Sequence, residues 1–343
     1  MTAWEEACAV QSNWCRRLEA PFMALLCETL PRAVDERSKL GWRLVGWGYS
    51  AQRDALVLRL AGGLHHLVRS GAVPDLAGVY PPPAATNEAE LLPPLQAALA
   101  DHQETLLTWL ESAPQTNEVG RSSLLMAGLM VALREYELPV ALFEVGASAG
   151  LNLRLDDYAY DLGSREFGRP GSPVSLRPEW TGAPPPSAPL KIAARRGCDL
   201  APLDVTDPKV RERLLSYCWS EQRERMQRLE AALELAAADP PLLDEADAAA
   251  WTERHIEPRA GTLTVLAHTI ALQYFPAESQ AAIASYMQRR GGAATAEAPL
   301  AWLGFELNPE AGRAELHLTL WPGGERRLLA AAHPHGTWIE WLA

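Results

Sequence analysis

Residues 140–152, VALFEVGASAGLN, constrain the fold more than any other part of the chain. VALFEV is a short and almost continuous apolar run, which is typical of a buried parallel strand. The glycines at positions 146 and 150 then predict a tight turn that brings the backbone close to a neighbouring group. The segment therefore predicts a strand, a glycine turn and a helix start in an α/β domain with a ligand site.

The parts of the chain on either side of residue 139 differ in their periodicity. Residues 1–138 carry apolar side chains mainly at helical spacing, which predicts a helical domain that caps the site and binds the substrate. Residues 139–343 alternate strand and helix patterns and end in a hairpin around Pro322-Gly323-Gly324. This half predicts a Rossmann-like, doubly wound sheet with antiparallel C-terminal strands. One long helix is expected at 208–238, with Glu221 and Arg225 paired on its exposed face.

Charge and cysteine content narrow the class of partner. The formal net charge of -12 argues against binding to duplex nucleic acid, which usually requires a basic surface. The five cysteines contain no C-x-x-C pair, which favours buried, reduced thiols over disulfides or a metal site. The acidic N-terminus does not resemble a secretory signal, and no apolar run approaches the roughly 18 residues that span a bilayer. We expect a cytoplasmic protein with a small-molecule substrate and no membrane partner.

The glycine turn fits a cofactor site. Glu144, Gly146 and Gly150 form the pattern acid-x-Gly-x-x-x-Gly at the end of the first parallel strand. This pattern resembles the first motif of class I S-adenosylmethionine-dependent methyltransferases. The resemblance implies S-adenosylmethionine as cofactor, with the acidic residue near its methionine end and the glycines beneath it. Ser148 and Asn152 belong to the same turn and are further candidates for cofactor binding.

The same residues also fit a hydrolase. GASAG is G-x-S-x-G between a strand and a helix, which makes Ser148 a candidate nucleophile. Asp247 and His268, or later His333 or His335, would complete its triad. We favour the methyltransferase hypothesis, because a hydrolase elbow normally follows several strands and the residues before this turn look helical. A third hypothesis is a ligand-binding protein without catalytic activity on the same fold.

Carboxylates downstream of the turn are candidates for the rest of a cofactor site. A carboxylate accepts two hydroxyl hydrogen bonds well, as the ribose of a nucleoside requires. Asp199 follows the strand candidate LKIAAR and is the first choice, with Asp204 as the second. Asp247 is a candidate for the adenine side of the site. Asp204 and Asp247 also fit the alternative of a turn or helix cap.

Two further groups of residues are candidates for substrate chemistry. His268 ends the apolar run TLTVLAH, where it could act as a general base, and Tyr274 could line the same crevice. The segment TNEVGRS brings together Asn117, Glu118 and Arg121, which we expect to bind a polar substrate between the two domains. Capping together with a surface ion pair is the alternative role for this second group.

Several segments resemble an uncharacterised bacterial family known only as a domain of unknown function. They are TNEVGRS, LFEVGASAGLNLRLDDYAYDLG, RRGCDLAPLDVTDP, WSEQRERMQRLEAALELA and VLAHTIALQYFP. Their common order over residues 115–276 makes the resemblance more specific than the glycine turn alone, although the family implies no activity. Where its members tend to have a Gly-Asp-Ala step this chain has DEADA, which changes the surroundings of Asp247.

Overall fold

The computed structural model of the chain describes residues 2–48, 50–81 and 84–343. Its α-helices are α1 (Ala3–Arg17), α2 (Pro21–Ala33), α3 (Lys39–Val45), α4 (Leu56–Arg69), α5 (Pro74–Ala77), α6 (Glu88–Asp101), α7 (Gln103–Leu110), α8 (Ser122–Glu135), α9 (Pro208–Tyr217), α10 (Arg223–Ala238), α11 (Ala248–His255) and α12 (Ala277–Gly292). Its strands are β1 (Val140–Val145), β2 (Ala159–Asp161), β3 (Glu166–Gly168), β4 (Ser175–Leu176), β5 (Glu179–Thr181), β6 (Ile192–Asp199), β7 (Leu243–Glu245), β8 (Leu263–Thr269), β9 (Leu300–Asn308), β10 (Arg313–Trp321), β11 (Glu325–Ala332) and β12 (Trp338–Trp341). Short 3-10 helices lie at Val119–Arg121, Leu151–Asp157 and Leu272–Tyr274.

The chain divides into two compact units. The helical unit comprises 1–116 and 208–227, and the sheet unit comprises 117–207 and 228–343. This division does not coincide with the predicted split after residue 138, because α8 belongs to the sheet unit. All of α8 is fully buried except Val131, Arg134 and Glu135. A helix that is apolar on nearly every side is typical of a domain core.

The helical unit has a large apolar core. Leu56, Leu60 and Leu64 of α4 are fully buried there, together with Leu30 of α2 and Leu91 of α6. They recur at helical spacing, so that one face of each helix is removed from water. The helical spacing predicted for residues 1–138 is therefore confirmed for the buried faces of α4 and α6.

The prediction of a single long helix at 208–238 is wrong. The structure has α9 and α10 instead, separated by residues 218–222. Glu221 lies in this break, and its carboxylate accepts hydrogen bonds from the backbone N–H groups of Phe22 (3.0 Å) and Met23 (2.9 Å). Those groups begin α2, whose N-cap residue Ala20 provides no side-chain cap. Glu221 therefore caps a helix that is distant in sequence.

The main sheet has the strand order β5-β12-β11-β10-β9-β8-β1-β6-β7. The five strands β7, β6, β1, β8 and β9 are parallel, and β9 to β12 form an antiparallel meander. Strand β5 pairs in parallel with β12, and β2, β3 and β4 form a separate small sheet. The predicted α/β fold with antiparallel C-terminal strands is confirmed. The order of the parallel strands reverses at β1, which lies between β6 and β8.

Helices cover both faces of the parallel strands. On one face α8 packs closely on β9, where Gly128 leaves room for the side chain of Leu303. On the other face α11 and α12 contribute Trp251 and Met287 to a core that includes Val145 of β1 and Leu266 of β8. We call these the α8 face and the α12 face. Successive residues of a strand alternate between faces, so this assignment decides which side chains can meet.

The cysteine prediction is confirmed, since all five are free thiols and buried. Burial raises the pKa of the Cys198 thiol to about 12, which leaves it protonated and unreactive near neutral pH. Within the described ranges, none of the helices combines the length and the apolar character needed to cross a membrane.

Candidate functional site

The glycine turn follows β1 at the point where the strand order reverses. Gly146, Ser148 and Gly150 all have left-handed backbone conformations, with φ of +67°, +54° and +70°. A Cβ on Gly146 would lie 2.6 Å from the Cβ of Ala271, and one on Gly150 would lie 2.7 Å from Cγ of Pro241. Both positions therefore require glycine for conformation and for space. The predicted tight turn is confirmed.

The helix start that was expected after the turn is only a short 3-10 helix, Leu151–Asp157. Side chains donate hydrogen bonds to carbonyl groups that backbone N–H groups would bind in a longer helix. The hydroxyl groups of Tyr158 and Tyr160 donate to the carbonyls of Leu151 and Leu155, each at 2.6 Å. The Leu153 carbonyl accepts from Arg195 at 2.8 Å. With these acceptors taken, the chain leaves the helical conformation and enters β2.

Glu144 lies beneath the turn on the α8 face and is 2 % exposed. One side of its carboxyl group is hydrogen-bonded to Asn152, whereas Oε2 is buried with no hydrogen-bond partner in the described chain. The pKa of Glu144 is raised to about 8, mainly by burial and to a smaller extent by the nearby Asp199, while the Asn152 side chain and the charge of Arg121 oppose the shift. Glu144 is thus a buried, protonated carboxyl group near neutral pH.

Asn152 connects Glu144 to two other elements. Its Oδ1 accepts from the Ser122 hydroxyl at 2.7 Å, and its Nδ2 donates to Oγ1 of Thr269 at 3.4 Å. The Asn117 side chain accepts from the Leu151 N–H at 2.9 Å. The sequence did not single out Ser122 and Thr269. The alternation of side chains along β8 could have identified Thr269, because Thr269 lies at the carboxyl end of this strand on the α8 face.

The segment TNEVGRS does come close to the glycine turn, but its side chains bind the protein itself. Arg121 donates from Nε to the Pro334 carbonyl and from Nη1 to the Thr269 carbonyl, each at 3.0 Å. Glu118 is buried and accepts from the Gly120 N–H at 2.9 Å. Arg121 also lies near Glu144, and its positive charge lowers the pKa of that carboxyl group against the effect of burial. These contacts place the segment as a support of the turn, and the predicted substrate contacts of Asn117, Glu118 and Arg121 remain predictions.

Arg121→Ala is expected to lower the free energy of unfolding by about 2–4 kcal/mol, because two charge-assisted hydrogen bonds to carbonyls would be lost. Urea denaturation at neutral pH measures this effect. Arg169→Ala is the matched control, since the guanidinium of Arg169 is exposed and lies 3.6 Å from Asp157. An exposed ion pair of this kind is worth about 0–1 kcal/mol. Equal stability of the two variants would contradict a supporting role for Arg121.

Asp199 meets the turn from the neighbouring strand. It is the last residue of β6, and its Oδ2 accepts from the Ser148 N–H at 2.9 Å while Oδ1 accepts from the Ala201 N–H at 3.0 Å. The carboxylate is half-buried. Each oxygen retains a second lone pair that can accept from a ligand.

Asp204 and Asp247 have the local roles given above as alternatives. Asp204 is exposed and accepts from the N–H (2.9 Å) and the hydroxyl (2.7 Å) of Thr206, and these hydrogen bonds lower its pKa. Asp247 is the N-cap of α11 and accepts from the N–H groups of Ala249 and Ala250. Among the three downstream carboxylates, only Asp199 hydrogen-bonds the glycine turn.

His268 does not share a crevice with the turn, contrary to the prediction. It lies on the α12 face together with Leu266, whereas Glu144 lies on the α8 face. The reason is the two-residue period of β8, which directs His268 and Thr269 to opposite sides. Tyr274 is 73 % exposed in the 3-10 helix after β8.

The fold and the turn together define an α/β protein of the Rossmann-like class, with a buried carboxyl group under a glycine turn at the strand-order switch. The family described as "Uncharacterized protein conserved in bacteria (DUF2332)" matches residues 5–341, and the chain belongs to this family. The same comparisons found no matching curated protein and no matching solved structure.

Proposed function

We propose that the protein is an S-adenosylmethionine-dependent methyltransferase acting on a small or medium-sized polar substrate. One observation carries the proposal. Glu144 is a buried acid whose Oε2 has no hydrogen-bond partner in the described residues, directly beneath a glycine turn at the carboxyl end of β1. Buried polar atoms are normally hydrogen-bonded, so a bound cofactor would supply the partner that this oxygen lacks.

The strand order supports a nucleoside cofactor. Numbered along the chain, the parallel strands β7, β6, β1, β8 and β9 run 3-2-1-4-5 across the sheet. Sheets of this kind bind ligands outside the carboxyl ends of the strands, where the order reverses. Here that position is between β1 and β8, next to the glycine turn.

The polar groups of the turn suit the two halves of the cofactor. Asp199 retains acceptor capacity for the ribose hydroxyl groups at the end of β6. Glu144 is suited to the positively charged methionine end, because a nearby cation stabilises the ionised carboxylate that burial disfavours. The turn is not followed by a long helix whose N-terminus would bind a phosphate, which favours S-adenosylmethionine over a dinucleotide.

When bound, S-adenosylmethionine supplies an activated methyl group for a nucleophilic atom of the substrate. The residues of the chain would contribute binding and orientation, which dominate the rate of such a direct transfer. Asn152 fixes the carboxyl group of Glu144, and Thr269 and Ser122 fix Asn152 in turn. Glu144 would hold or release a proton as the charge beside it changes.

The geometry gives less support to a serine hydrolase. The Oγ of Ser148 is buried and has no hydrogen-bond partner in the described part of the chain, so no histidine activates it there. His268 pairs with Glu306 on the α12 face, and Asp247 caps α11. A nucleophilic serine requires a base within hydrogen-bond reach.

Calorimetric titration with S-adenosylmethionine and S-adenosylhomocysteine tests the proposal. We expect both to bind the wild-type protein. Asp199→Asn should weaken binding by roughly 10- to 100-fold, the effect of losing a charged acceptor. Asp204→Asn is the matched control and should bind as the wild type does, because Asp204 hydrogen-bonds only within its own turn. Absence of binding by the wild-type protein would overturn the proposal.

A further inference from the structure

A separate cleft opens on the α12 face of the sheet unit. It has a volume of about 420 Å³ and is bordered by β8, β9, β10, β11, α12 and the loop after β8. This volume lies within the range of about 300–1,000 Å³ that is typical of small-molecule sites. Glu144 lies on the other face of the sheet, so the cleft is distinct from the glycine turn.

An oriented histidine lines the cleft. His268 Nδ1 lies 2.6 Å from Oε1 of Glu306, and the His268 side chain is only 4 % exposed. The same Glu306 oxygen accepts from the N–H groups of Ala271 (3.1 Å) and Leu272 (3.0 Å). Burial alone would raise the pKa of Glu306, but these hydrogen bonds and the proximity of His268 bring it below its usual value. The pair is therefore a histidine held in one orientation by an ionised carboxylate.

The other nitrogen of the His268 ring remains available. A Cβ on Gly304 would lie 2.7 Å from Nε2 of His268, so the absence of a side chain at position 304 gives the imidazole its space in the cleft. Nε2 forms no hydrogen bond within the described residues. An imidazole nitrogen in this state can donate to or accept from a ligand hydroxyl group.

Two more buried polar atoms lack a partner at the same cleft. They are Oε2 of Glu306 and Nε1 of Trp302, neither of which is hydrogen-bonded within the described part of the chain. One is an acceptor and the other is a donor. Buried polar atoms are normally hydrogen-bonded, so a polar ligand in this cleft would supply the partner that each of them lacks.

The opposite wall of the cleft carries the guanidinium of Arg326. Arg326 of β11 lies in register with Thr319 of β10, and His317 lies beside them on the same face. The guanidinium of Arg326 forms no ion pair with any described residue. Burial and, to a smaller extent, the charge of Arg326 lower the pKa of His317, and Glu315, whose Oε2 lies 3.9 Å from Nε2 of His317, opposes this shift. An exposed arginine fork at the edge of a cleft suits a carboxylate or phosphate group.

We propose that this cleft binds a small hydroxylated organic anion, with the anionic group at Arg326 and His317 and a hydroxyl group at Nε2 of His268. The proposal does not depend on the proposed methyltransferase function, because it uses different residues on a different face of the sheet. Carboxylate and phosphate ligands share the chemistry that Arg326 recognises.

The test is an NMR titration of the full chain carrying histidine labelled with ¹³C at Cε1. Glycerate and glycerol 3-phosphate are the anionic probes, and glycerol is the neutral control. We expect saturable shifts of the His268 and His317 signals with at least one anion and no saturable shift with glycerol. The signals are assigned with His268→Gln and His317→Gln. Comparison of the two anions shows whether the cleft prefers a carboxylate or a phosphate group.

Two arginine variants decide the outcome. Arg326→Gln should weaken binding of the anion by roughly tenfold or more, the effect of losing a charged hydrogen-bonding fork. Arg289→Gln, which removes an exposed arginine of α12 outside the cleft, should leave the affinity unchanged. The proposal is overturned if neither anion produces saturable shifts, or if Arg326→Gln binds as tightly as the wild type.

Discussion

Gly146→Ala is expected to abolish binding of S-adenosylmethionine and to lower the free energy of unfolding by about 2–5 kcal/mol. Gly146 has φ of +67°, which costs a residue with a side chain about 1–2 kcal/mol. The new Cβ would also lie 2.6 Å from the Cβ of Ala271, so that the loop after β8 must move away from the turn. That movement would disturb the proposed cofactor site directly.

Gly171→Ala separates the two causes. Gly171 is exposed, has φ of +74° and has no heavy atom within 4 Å of the position that a Cβ would occupy. This control should therefore lose only the conformational part, about 1–2 kcal/mol, and keep its affinity for the cofactor. Urea denaturation and calorimetric titration of both variants measure the difference. If Gly146→Ala matched Gly171→Ala in both measurements, close packing of the turn would not matter.

Glu144→Gln is expected to change how stability depends on pH. Burial raises the pKa of Glu144 to about 8 in the folded protein, whereas an unfolded chain has a value near 4.5. Between these values the folded state holds a proton that the unfolded state has lost. The stability of the wild type should therefore fall as pH rises, by at most about 1.4 kcal/mol for each pH unit. The uncharged glutamine removes this dependence.

Urea denaturation at pH 5, 6.5 and 8 follows this effect. The stability of Glu144→Gln relative to the wild type should rise by about 3–4 kcal/mol from pH 5 to pH 8. Glu278→Gln is the control, because Glu278 is exposed on α12 and should follow the wild type at every pH. A constant difference between Glu144→Gln and the wild type would show that Glu144 is ionised throughout this range. We also expect Glu144→Gln to bind S-adenosylmethionine more weakly, because it cannot provide a negative charge.

Local patterns in the sequence were sufficient for several elements of the sheet unit. The apolar run at 140–145, the run TLTVLAH and the hairpin around Pro322-Gly323-Gly324 correspond to β1, β8 and the β10–β11 connection. The glycine turn was also predictable, because left-handed backbone and close approach both favour glycine. The early end of the helix after the turn was not predictable, because distant donors such as Arg195 bind the carbonyl groups that a longer helix would use.

In the candidate site too, local sequence patterns predicted where residues lie along their elements, but not which distant groups they contact. The sequence determined that Glu144 lies near the end of a buried strand, that Asp199 follows the strand candidate LKIAAR, and that TNEVGRS precedes a helix. Only the tertiary structure decided that Arg121 holds the carbonyls of Pro334 and Thr269, that Glu221 caps α2, and that His268 pairs with Glu306 on the opposite face. Periodicity reports which side of an element is apolar, because burial repeats along a single strand or helix. It does not report which polar group, up to 213 residues away, satisfies a given donor or acceptor, because that depends on how the elements pack.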